Sequence, residues 1–87
     1  MYLHLGQDIV VPMREIIGIF DMENTTVSKH TRVLLNEAQR EGRVVTVGDD
    51  LPKSFIVCQQ GDEPPTVYIS QISCATLLKR AESFRSI

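Results

Sequence analysis

Apolar and polar positions along the chain change period several times, and each change marks an element. Tyr2-Leu3-His4-Leu5 alternates loosely, Gly6-Gln7-Asp8 reads as a turn, and Ile9-Val10-Val11 is a β-branched run. Pro12 interrupts this ladder, because proline has no N–H to donate and belongs at an edge or a bend. Glu15-Ile16-Ile17-Gly18-Ile19-Phe20 is a stronger strand, and its nearly continuous apolar run predicts burial on both faces, by sheet or by a neighbouring subunit. Asp21 to Thr26 is polar and turn-rich. After it the period becomes helical, from Thr26 or Ser28 to Glu41, with Val27, Thr31, Leu34, Leu35 and Ala38 on one face. Thr25, Thr26 and Ser28 are competent N-caps, and Gly42 is placed as the stop.

Three further strands follow, Arg43–Val47, Ser54–Cys58 and Thr66–Ser70, separated by the turn Gly48-Asp49-Asp50 and by the loop Gly61-Asp62-Glu63-Pro64-Pro65. Ser73 then caps a short terminal helix with a stripe of Leu77, Leu78, Ala81 and Phe84. The pattern predicts one small β-rich α+β domain over residues 1–87, with a central helix and a short C-terminal helix.

At 87 residues, with three Phe, two Tyr and no Trp, the core is thin, and domains this small commonly need a supplement. Cys58 and Cys74 sit inside apolar runs at a separation that fits no disulfide or metal framework, and read as small buried hydrophobes. His4 and His30 have no cysteine or carboxylate at ligand spacing. No metal or cofactor is expected, and self-association is left as the supplement. The first residues carry neither the basic start nor the apolar run of a signal peptide, which predicts a cytoplasmic protein.

No catalytic residue is expected. There is no nucleophile elbow and no glycine-rich phosphate loop, and the acid pairs Asp49-Asp50 and Asp62-Glu63 fall in turns. The positive feature is the polar face of the central helix, where Lys29, Arg32, Arg40 and Arg43 form a stripe with Asn36. Such a stripe can follow a phosphate backbone. It can equally be a solvated face, since Glu37 and Glu41 flank it and the net charge is −2. Val33, β-branched on the same side, points to partner contact.

Several segments carry a resemblance: Met1-Tyr2-Leu3-His4-Leu5-Gly6, Asp8-Ile9-Val10-Val11, Glu15 to Asp21, Pro52-Lys53-Ser54-Phe55-Ile56-Val57, Tyr68-Ile69-Ser70 and Ala75 to Arg80. In this order and spacing they resemble the RemA/RemB family of small bacterial extracellular matrix regulators. The resemblance implies a cytoplasmic regulator of biofilm matrix genes with a LytTR-like fold. It also implies closed rings, DNA held by arginines on the ring surface, and a RemA-like relative as a further partner. The family arginine that directly precedes the Ile-Ile strand is replaced by Glu15, with Arg14 one residue earlier. The arginine pair before the later apolar strand is replaced by Asp49-Asp50-Leu51, where only Lys53 is basic. The nucleic-acid candidates are therefore Arg14, Lys29, Arg32, Arg40, Arg43 and Lys53. The competing reading is an interaction module that does not touch DNA.

Overall fold

The computed structural model describes residues 1–22 and 29–85. The chain runs β1 (Tyr2–Gly6), β2 (Ile9–Pro12), a 3-10 turn (Met13–Glu15), β3 (Ile16–Asp21), α1 (Lys29–Arg40), β4 (Val44–Val47), β5 (Ser54–Cys58), β6 (Thr66–Ser70) and α2 (Cys74–Arg85). β1 and β2 form an antiparallel hairpin, turned through Gly6 and Gln7, both with positive φ (128° and 47°). The other four strands make one sheet in the order β3-β5-β6-β4, with only the β4–β6 pair parallel.

This sheet is the middle of three layers. Alternate residues of its central strand face opposite ways. Ile56 and Cys58 pack with Leu3, Leu5, Val11 and Leu77 against the hairpin and α2. Phe55 and Val57 pack with Val67 and Ala38 against α1. β5 is buried along its whole length, as its unbroken apolar run requires.

The edge strand β3 departs from the sequence expectation of two-sided burial. Its register against β5 slips between Ile16 and Gly18, so Ile17 is the extra residue of a bulge and is 58% exposed. Gly18 lies beside Phe20, which stacks on Phe55 with ring centroids 4.8 Å apart and 12° between planes.

Both helix ends follow the sequence. Gly42 has φ 73°, its N–H donates to the Gln39 carbonyl (3.3 Å), and the Arg43 N–H reaches the Ala38 carbonyl (2.7 Å), which is a Schellman motif. The Ser73 hydroxyl accepts from the Thr76 N–H at 3.2 Å and caps α2. α2 is not short, having the same 12 residues as α1. Val27 and the cap candidates Thr25, Thr26 and Ser28 lie outside the described residues, as does the side chain of Phe84.

The layers are joined by two buried serines. The Ser70 hydroxyl donates to the Leu5 carbonyl (2.6 Å) and accepts from the Ile72 N–H (3.0 Å), and the Ser54 hydroxyl donates to the Ile72 carbonyl (2.7 Å). Burying these hydroxyls costs little because each has its partner.

Candidate nucleic-acid interface

α1 sets its apolar side, through Leu34, Leu35 and Ala38, onto the sheet. Its other side therefore faces solvent and presents Lys29, Arg32, Asn36 and Arg40, all exposed. Three of the six candidate cations thus share one helix. The exposed Val33 lies among them, and a shallow depression is lined by Val33, Asn36, Glu37 and Arg40. The carboxylate of Glu37 lowers the positive potential at the Arg40 end.

Arg43 does not belong to this stripe. α1 ends at Arg40, and the chain turns at Gly42. The Arg43 guanidinium forms an ion pair with Glu41 at 2.9 Å and donates to the Pro65 carbonyl, with only 19% of its side chain exposed. Its observed work is to hold the acidic-proline loop against the start of β4.

The two outlying cations are separated by the sheet. Asp21 of β3 pairs with Ser54, and Ile16 pairs with Cys58. Arg14, on the turn before β3, is therefore at one end of the sheet, and Lys53, just before β5, is at the other. Both are exposed. Lys53 shares its end with Asp49-Asp50, since Val47 pairs with Ser70 and Ser70 with Ser54. Asp50, Leu51, Lys53, Gln71 and Ile72 line one depression there, where the Asp50 N–H donates to the Gln71 side-chain oxygen at 3.1 Å.

Burial shifts three further titratable groups. Burial, with the Glu15 carboxylate as a smaller cause, pushes the Cys58 thiol up to about 11. Tyr68 is raised by burial first, then by Cys58 and Glu15. Cys74 was expected to be buried but is only half-buried, at the start of α2, with its Sγ 3.8 Å from the Ile19 carbonyl. Burial and Asp21 raise its thiol.

Sequence reasoning did not anticipate several exposed apolar side chains: Tyr2 and Val10 on the hairpin, Leu78 on α2, and Leu51, which is 83% exposed. Among the described residues no helix is long and apolar enough to cross a membrane.

A three-layer α+β domain with a cationic helix on one outer face is thus the class of protein these features define. The family described as extracellular matrix regulatory protein A-like, RemA-like, matches residues 2–81. Extracellular matrix regulatory protein B of Bacillus subtilis (strain 168) is 38% identical over 82 residues, which cover 94% of this chain and 91% of that protein. The chain belongs to the RemA-like family.

Proposed function

We propose that this chain is a self-associating, DNA-binding regulator of extracellular matrix genes that acts in the bacterial cytoplasm. The family and the name of its Bacillus relative support the regulatory role. The observation that carries the DNA reading is the exposed row Lys29, Arg32 and Arg40 on a helix whose opposite side is anchored in the core. Long flexible cations on a rigid helix contact phosphates and fix the position of the protein without reading bases. One subunit of net charge −2 has no field to steer DNA, so assembly is part of the mechanism. A ring of subunits with the LytTR-like fold that the family resemblance implies presents the same helix several times. Each added contact then forms at a raised effective concentration.

The second reading is an interaction module that joins assemblies of a RemA-like relative without touching DNA. It is favoured by Asp49 and Asp50, which share the Lys53 end with the bare Leu51 side chain. Titration of labelled duplex DNA by fluorescence anisotropy at two salt concentrations separates the two. The DNA reading expects affinity to fall with salt with a log–log slope of about −0.9 per phosphate contacted. Reversing Arg32 and Arg40 to Glu should weaken binding similarly for unrelated sequences and flatten that slope, with an unchanged oligomer mass. Absence of binding by the wild type at low salt gives the case to the interaction module.

A further inference from the structure

Leu51 is the most exposed apolar side chain among the described residues, at 83%, and its loop is pinned on both sides of it. Before it, the Asp50 N–H donates to the Gln71 side-chain oxygen (3.1 Å). After it, the Lys53 N–H donates to the Ser70 carbonyl (2.9 Å) and the Lys53 carbonyl accepts from the Met22 N–H (3.0 Å). Pro52 holds Leu51 to extended backbone. Gly48 makes room for Gln71, since a Cβ at Gly48 would lie 2.5 Å from that side chain. Single exposed apolar residues are ordinary. A leucine on a loop fixed in this way is different, because its ordering is complete before any partner arrives.

An apolar hollow lies at the other end of the sheet. Met13, Ile16, Ile17 and Ile19 meet Leu78 and Ala81 of α2 around a space of about 280 Å³, with Ile17 and Leu78 both exposed at its lip. The charges beside the two features are opposite. Asp49 and Asp50 precede Leu51 and Lys53 follows it, whereas Arg14 adjoins Met13 of the hollow and Glu82 lines it. Among the described residues, neither Arg14 nor the two aspartates takes part in an ion pair.

We infer that Leu51 of one copy inserts into the hollow between β3 and α2 of a second copy, head to tail, with Asp49 and Asp50 facing Arg14 of the partner subunit. This deepens the self-association proposed above and rests on it. The occupant is a second copy because one chain carries both halves of the contact, a fixed apolar knob with acids and an apolar hollow with a cation. The halves sit at opposite ends of the sheet, Leu51 beyond the Ser54–Ser70 pair and the hollow beside the Ile16–Cys58 pair. Each subunit that fills a hollow therefore offers a fresh leucine, and the contact repeats until the rotation between neighbours closes a ring. Neither half contains an α1 residue, and α1 packs on the face of the sheet opposite α2. The row of Lys29, Arg32 and Arg40 thus stays open on every subunit. A chain this small gains in this way the burial it lacks alone.

The test uses the full chain in a Cys74→Ala background, so that the buried Cys58 is the only native thiol. Leu51→Cys and Leu78→Cys together in one chain should give, on brief mild oxidation, a ladder of covalent multimers that a reductant collapses. Either cysteine alone should give no covalent dimer, since a head-to-tail contact does not bring two copies of one position together. Leu51→Asp should lower the mass of the wild-type assembly by light scattering, because losing a buried leucine weakens each contact about 10–100-fold. Wild-type mass in Leu51→Asp, no ladder from the double-cysteine chain, or a covalent dimer from Leu51→Cys alone overturns this contact while leaving self-association standing. A wild type that is monomeric at micromolar concentration overturns the self-association itself, and this contact with it. If Leu51→Asp fails to fold by circular dichroism, the cysteine variants decide alone.

Discussion

Replacing Gly18 by alanine is the most direct probe of the α1-side core. A Cβ on Gly18 would lie 2.7 Å from Cε2 and 2.9 Å from Cζ of Phe20, closer than carbon atoms approach one another. The backbone at Gly18 is not in the left-handed region, so no backbone strain adds to the clash. Phe20 must swing away, which breaks its stacking on Phe55. Such ring pairs contribute about 0.5–1.5 kcal/mol beyond burial, and forced repacking of a full core costs about 1–3 kcal/mol. Against this, alanine restricts the unfolded chain and returns about 0.4–1 kcal/mol. The expected net loss is roughly 1–3 kcal/mol, and at 4–8 °C per kcal/mol for a domain of this size Tm should fall by about 5–20 °C. Thermal unfolding followed by circular dichroism reads it. Phe20→Leu in combination should be less damaging than the sum of the two single changes, because the ring that clashes is gone. A Gly18→Ala protein with wild-type Tm, or strictly additive losses, would refute the reasoning.

Three further outcomes are expected. Cys58 should label far more slowly than Cys74 with a bulky thiol reagent at neutral pH, since its thiol is buried and raised to about 11. Because the folded state keeps that proton above the ordinary value of 9.0, stability should fall as pH rises from about 9 to about 11, and Cys58→Ala should remove this component in urea titrations at the two pH values. Ser70→Ala should cost about 1–3 kcal/mol by stranding the Leu5 carbonyl and the Ile72 N–H, seen as a lower urea midpoint at unchanged slope.

Local chemistry was the legible part of this molecule. Gly42 and Ser73 announced helix ends because a positive φ and an N-cap hydroxyl are properties of a few adjacent residues. The alternation of Phe55 and Val57 against Ile56 and Cys58 could not be read as two faces, because both faces are apolar. Only the three-layer arrangement explains why. Ile17 looked buried because a bulge leaves no mark in an apolar run. Arg43 fell on the helical wheel but past the Schellman turn, where an acid at Glu41 and a carbonyl at Pro65 were waiting. The separation of Arg14 from Lys53 follows from strand order, a long-range property that no window of sequence contains.

The Ser70 to Leu5 hydrogen bond closes a loop of 65 residues, and the Arg80 guanidinium reaches the His4 carbonyl across 76. The β1–β2 hairpin therefore cannot bury Leu3, Leu5 and Val11 until β5, β6 and Leu77 of α2 have been synthesised. During that interval the nascent chain exposes the apolar side of this hairpin, and the hairpin must wait for the strands and helix that cover it. Such non-local closure makes for slow folding. A ribosome stalled before residue 77 should hold a chain open to protease throughout, and release beyond α2 should bring protection in a single step.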